Sequence, residues 1–278
     1  MLKDVSFGQY YPVESFVHRM DPRLKIIFLI AYIVAIFLAK EFLALGVCAF
    51  VLLLAIVFAR IPAGKILRSV RGILFLVVFT AVLNIFFYQG EAVYWNGPAV
   101  LWEWKLLRVT QAGIVFSAFL VLRLFLLVTC SSMLTYTTTP VSLTDGIESL
   151  LTPLKWIKFP VHELALIMSI ALRFIPILTD ETERIMNAQK ARGANFDTGG
   201  LGKRIKAIVP VLIPLLLSAF RRADELGDAM DARCYSGGKK RTKYKKLRFG
   251  WRDFIGFLLI VALVAGVAVM RVYPVFGI

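Results

Sequence analysis

A helix must offer about 20 mostly apolar residues to cross the hydrocarbon core of a bilayer. Five stretches of this sequence approach or meet that length: Leu24–Leu38, Leu43–Ala59, Ile73–Tyr88, Val109–Cys130 and Phe254–Val272. The first is short before its flanks are counted, and Lys25 can snorkel to extend it. Only a few residues around Lys40-Glu41 separate the first two stretches, which predicts a tight helical hairpin. Two further apolar runs are read differently. Leu164–Leu178 contains Arg173 and Pro176, and Ala207–Phe220 holds Pro210 and Pro214 and runs into Arg221-Arg222. Length and internal charge place these two against protein or at the interface. The expected fold is an all-α membrane protein of about five transmembrane helices, with a cytoplasmic domain of one short and two long helices.

Composition excludes a water-soluble chain, because 59% of the residues are hydrophobic against roughly 45–50% in soluble domains. The net charge of +15 first suggests nucleic acid as a partner, but the charge follows topology instead. With the N-terminus inside and the C-terminus outside, 28 of the 33 basic residues fall on the inner side, 20 of them within residues 138–252, as the positive-inside rule requires. Making spans of the two ambiguous runs would export Arg184, Lys190, Arg192, Lys203, Arg204 and Lys206. Phe86, Phe87, Tyr88, Tyr94, Trp95, Trp102 and Trp104 gather in the outer loop as an aromatic belt, and Trp251 begins the last span at the opposite interface. Arg123 is expected near the inner end of its helix or in a structural pair. Cys48, Cys130 and Cys234 are scattered, as are His18 and His162, so no disulfide framework, metal site or Cys/His cluster is expected. The N-terminus is too polar for a secretory signal, and the first span is expected to serve as its own insertion signal.

The inner segment carries the informative pattern. Thr137-Thr138-Thr139-Pro140 ends the fourth span, and Ser142–Leu151 reads as a short helix capped by Ser142 or Thr144. Pro153 and Pro160 then flank a loop holding Lys155, Trp156 and Lys158. Two long helices follow, about His162–Ala191 and Lys203–Ala232, each apolar at its start and charged toward its end. Placing Arg192 on Arg233 also pairs Glu183 with Asp224, Ile185 with Leu226, Ala188 with Ala229 and Ala191 with Ala232. Taken singly, such an arginine favours the helix dipole by roughly 0.3–1 kcal/mol, with Gly193 as a C′ residue. Capping alone would be satisfied by any cation and does not call for the alanines to repeat. The repeat reads as two equivalent knobs for two equivalent pockets on a dimeric partner. Lys239, Lys240, Arg241, Lys243, Lys245, Lys246 and Arg248 form a run suited to anionic lipid headgroups. No GxxxxGK[ST] phosphate loop is present.

These features resemble the transmembrane T component of energy-coupling factor (ECF) transporters along almost the whole chain. The resemblance is carried by HRMDPRLKIIFLIAYIVAIFL, with Asp21-Pro22-Arg23 leading into the first span, and by LNIFFYQG closing the third. Its most specific parts are the helix ends Ala191-Arg192-Gly193 and Ala232-Arg233-Cys234. The family often has glycine in the place of Cys234, a mild departure. The resemblance implies helices 1–4 in residues 1–137, a coupling-helix domain in 138–250 and a last transmembrane helix in 251–278. It implies a non-catalytic subunit without a cofactor, in which those six residues meet two ABC-type ATPase subunits. The apolar runs would hold a membrane-embedded S component that takes up a vitamin or micronutrient, with anionic lipids and no nucleic acid as further partners. Two rivals, a membrane-embedded lipid-modifying enzyme and a polybasic membrane scaffold, leave the repeated arginine ends unexplained.

Overall fold

The computed structural model describes residues 10–88, 100–104, 107–194, 196, 200–235 and 249–273. They divide into two compact units, residues 10–147 with 249–273 and residues 148–235. The polybasic run at 239–248 lies outside the described residues, as do Tyr94 and Trp95 of the aromatic group.

The first unit contains helices α1 (Pro22–Leu38), α2 (Phe42–Ala59), α3 (Ala63–Arg71), α4 (Leu74–Phe87), α5 (Gln111–Thr137) and α9 (Trp251–Val272), together with most of α6 (Pro140–Leu150). Asp21 caps α1 by accepting from the Arg23 N–H at 2.9 Å, with Pro22 at the first helical position. Small buried residues line the helix contacts: Ala35, Ala39, Ala44, Cys48 and Ala59. Close backbone approach of this kind replaces the hydrophobic drive that lipid cannot supply. Tyr32 fills the space between, its hydroxyl donating to the Cys48 carbonyl at 3.0 Å and so tying α1 to α2.

Several sequence expectations change here. The fourth span begins at Gln111, not Val109, because Leu107–Thr110 pairs antiparallel with Val100–Trp104 as a small β-ribbon (β2 and β1). Thr110 turns the chain from strand to helix, its hydroxyl accepting from the Gly113 N–H and donating to the Tyr88 carbonyl. A Cβ on Gly113 would meet the Ile85 and Tyr88 carbonyl oxygens at 3.2 and 3.3 Å, so glycine permits the close approach to α4. The segment with Lys65, Arg68 and Arg71 is helical, and α3 and α4 form a pair bent by 60°. The short helix starts at Pro140, so its cap is Thr139, which accepts from the Ser142 N–H, rather than Ser142 or Thr144. Arg123 pairs structurally: it donates to the Ala39 carbonyl at 3.0 Å and lies over the Phe119 ring at 4.7 Å. Ala39 caps α1 at the end away from Asp21, so the contact is with the α1–α2 turn.

By length and composition, α2, α5, α9 and α7 (Val161–Ala191) can each cross a membrane, and the bent α3–α4 pair makes a fifth candidate. Helix α1 has 17 residues, short of that length before its flanks are added. The protein is an all-α membrane protein on either count.

The second unit holds the end of α6, a 3-10 turn at Thr152–Ile157, α7 and α8 (Leu201–Ala232). The turn carries Trp156, 95% exposed. His162 at the start of α7 faces Glu148, Nδ1 to Oε1 at 3.2 Å. Pro176, Pro210 and Pro214 lie inside continuous helices and start neither one. Pro214 has no N–H for the Pro210 carbonyl, which accepts a long (3.5 Å) hydrogen bond from the Gln189 amide of α7.

Candidate functional site

The two repeated helix ends share one backbone geometry. In α7, the Gly193 N–H donates to the Lys190 carbonyl and the Ala194 N–H to the Gln189 carbonyl, each at 3.0 Å. In α8, the Cys234 N–H donates to the Asp231 carbonyl at 2.8 Å and the Tyr235 N–H to the Met230 carbonyl at 3.0 Å. Both patterns are Schellman motifs with a left-handed residue directly after the arginine. Gly193 supplies it at φ 87° and Cys234 at φ 56°. Cysteine carries a Cβ into a region that costs an L-residue roughly 1–2 kcal/mol. The repeat therefore extends to the backbone, and the departure at Cys234 leaves the turn intact.

This geometry bears on the capping role of the arginines. The Gln189 and Lys190 carbonyls of α7 and the Met230 and Asp231 carbonyls of α8, which a basic side chain could cap, are taken by backbone N–H groups. Arg192 and Arg233 are exposed, and neither has an ion-pair or hydrogen-bond partner for its guanidinium among the described residues. Ala191, Gly193, Ala232 and Cys234 are exposed beside them. Each end thus presents an exposed cation flanked by small residues, and a guanidinium can donate a planar fork of hydrogen bonds.

The two helices run antiparallel where they meet. The Arg222 guanidinium meets the Glu181 carboxylate at 3.5 Å. These residues are 41 positions apart, the same offset that superposes Arg192 on Arg233, so equivalent positions touch each other at the crossing. Gln189, beyond the crossing on α7, reaches Pro210, which precedes it on α8. The second half of α7 therefore runs beside the first half of α8. Each arginine stands 11 residues past the crossing, about 16 Å at 1.5 Å per residue. The two ends leave the crossing in opposite directions with arms of equal length.

The apolar faces proposed for a membrane partner are also exposed: Ile167 and Met168 on α7, and Leu212, Ile213, Leu216 and Leu217 on α8. Only 6% of the apolar window of α7 is buried inside the protein.

The first unit also holds a buried polar junction. The buried Asp253 carboxylate accepts from the Asp21 N–H at 2.8 Å and from the Gly250 N–H at 2.7 Å, joining the start of α9 to the start of α1. Its signal was present, an Asp at the third position of a helix. Nearby, His18 Nε2 lies 3.0 Å from the Tyr11 carbonyl and Nδ1 lies 2.7 Å from the Ser15 hydroxyl. A carbonyl can only accept, so Nε2 carries the proton of the neutral ring. Burial, and then the Lys25 cation, hold His18 below its ordinary pKa.

Comparison with known proteins agrees with the resemblance in the sequence. The cobalt transport protein family (CbiQ) matches residues 13–244. The chain is 47% identical over 271 residues to the energy-coupling factor transporter transmembrane protein EcfT of Acidaminococcus fermentans, covering 98% of each chain. It is 47% identical over 264 residues to EcfT of Brevibacillus brevis, covering 95% of this chain and 97% of the relative. With EcfT of Lactococcus lactis subsp. cremoris it shares 42% identity over 263 residues and 95% of each chain.

Proposed function

This chain belongs to the family of energy-coupling factor transporter transmembrane proteins, and on that premise we propose that α7 and α8 carry motion from two ATPase subunits to a substrate-binding membrane partner. Each ATPase receives one helix end, Ala191-Arg192-Gly193 or Ala232-Arg233-Cys234. The observation that carries this reading is the matched pair of Schellman ends with unpartnered arginines on equal arms. A dimeric partner with two equivalent grooves requires two equivalent knobs. When ATP draws the two ATPases together, both arms move about the Glu181–Arg222 crossing, and the exposed apolar faces beyond it shift with them. A membrane-embedded S component seated on those faces is thereby reoriented and releases its vitamin or micronutrient inside.

In this reading the chain ends lie with the N-terminus inside and the C-terminus outside, and residues 138–250 form the inner coupling domain. Helix α7 does not span, because its second half carries Asp180, Glu181, Glu183, Arg184 and Lys190. The polybasic run at 239–248 holds anionic headgroups. ATP hydrolysis belongs to the partners, and this subunit transmits its work.

The test is the double substitution Arg192→Glu and Arg233→Glu in the assembled transporter. Uptake is expected to be lost and the ATPases to fall away on purification, with membrane insertion unchanged. Normal uptake by the inserted double variant overturns the coupling role.

A further inference from the structure

We propose that the first unit holds a phospholipid site, in which one acyl chain enters a cavity between α1, α2, α5 and α9. The cavity has a volume of about 370 Å³, within the roughly 300–1,000 Å³ of small-molecule sites. Its walls are apolar apart from Lys25 and Thr137, which share one end. Water does not fill a space of this kind, and the solvent around a membrane-spanning unit is hydrocarbon. The mouth is itself apolar, with Phe58, Ile255 and Leu259 of the lining exposed at 59, 40 and 36%. Along α2 the lining runs from Val51 to Phe58, about 10 Å, or a third of the roughly 30 Å hydrocarbon core. A tail can therefore enter from the polar end without crossing the membrane.

The polar end specifies the rest of the ligand. Lys25 is only 8% exposed, and its ammonium donates to the His18 carbonyl at 3.2 Å and the Thr137 carbonyl at 2.9 Å. An ammonium has three donors, so one is left for a glycerol-ester oxygen, while the buried Asp253 and Asp21 carboxylates already offset its charge. Arg252 adds a second cation there, its guanidinium 5.8 Å from the ring of Phe16, which lines the cavity. It has no carboxylate partner among the described residues. An apolar slot with the Lys25 donor and the Arg252 guanidinium, the cation without a carboxylate partner, at its end complements an acyl chain that ends in a phosphodiester. Gly256 shapes the wall, since a Cβ there would run into the terminal methyl of Met20, another lining residue.

The experiment uses the full chain in nanodiscs containing phosphatidylglycerol with a diazirine on one acyl chain, with the crosslinks mapped by peptide mass spectrometry. Crosslinks are expected on Met20, Leu52 and Met133, and these are expected to fall at least fivefold in Ala55→Phe, which fills the cavity. Ala55→Leu and Gly256→Ala, the latter by pushing Met20 inward, are expected to reduce the same crosslinks in part. These milder variants keep the test decisive if Ala55→Phe does not fold. Crosslinks confined to outward residues such as Phe50, Leu53 and Phe75 overturn the site, as does labelling of the lining that all three variants leave unchanged. Labelling of the lining by a diazirine fatty acid but not by the phospholipid also overturns it.

Discussion

The two units of this protein treat charge in opposite ways. In the first, Asp21, Lys25 and Asp253 are buried, and each is held by backbone groups of another segment or of its own helix start. In the second, Arg192 and Arg233 stand exposed at helix ends that backbone hydrogen bonds close. A buried charge must find its partners inside the fold, because leaving it unpaired is costly. An exposed one is stabilised by water and remains available to another molecule. The buried charges of the first unit therefore hold the fold together, whereas Arg192 and Arg233 of the second, unlike its paired Glu148 and Glu181, stay open to a partner.

That contrast can be broken most directly by removing one charge from each side. Asp253→Ala leaves the Asp21 and Gly250 N–H groups without their acceptor and should cost about 3 kcal/mol of stability, measured by thermal unfolding in detergent. Arg192→Ala with Arg233→Ala should change unfolding by no more than about 0.5 kcal/mol while transport is lost. A large drop in stability from the arginine pair would show that they belong to the fold after all.

The repeat of the two helix ends sharpens the comparison next. Arg192→Glu and Arg233→Glu, made singly, should lower ATPase co-purification and uptake to similar extents, because the arms are equal. A loss confined to one of them would mean that the ends are equivalent in backbone only. Within the same pair, Cys234→Gly should stabilise α8 by about 1 kcal/mol, and Gly193→Ala should destabilise α7 by a similar amount. Hydrogen exchange at Ala194 and Tyr235, whose N–H groups close the two motifs, reads this directly.

The smallest effect concerns His18. Its folded pKa is depressed, so the unfolded chain binds the proton more readily and neutral His18 favours the fold. That contribution is present above the ordinary histidine pKa of about 6.5 and is lost as pH falls through the lower folded value. Unfolding temperature should therefore decline on acidification from about pH 7.5, and His18→Gln should flatten that part of the curve. A rise in stability on acidification that depends on His18 would reverse the assignment.

Much of this was legible in the chain because it is local. The apolar runs anticipated the ends of α1, α2, α4 and α9 to within three residues, since hydrocarbon sets their length. Gly193 was readable as a C′ residue because glycine after a charged helical turn has one common use. Val109, by contrast, extended an apolar run into what is a β-strand, for apolar periodicity does not separate a strand from the first turn of a helix. Thr139 rather than Ser142 or Thr144 caps the short helix, because Pro140 suits the first helical position. The prolines at 176, 210 and 214 lie inside helices that continue through them.

The sequence by itself determined that the protein lies in a membrane, that its family is the ECF transmembrane proteins, and that two helix ends repeat at an offset of 41. Hydrophobicity, motif and spacing are properties of neighbouring residues and need no fold to be read. Only the tertiary structure decided that Glu181 and Arg222 meet across the helices, placing the arginines on equal arms, and that Asp253 holds α9 to α1 across 232 positions of chain. Such contacts depend on which faces two helices present where they cross, and one-dimensional spacing does not encode that angle.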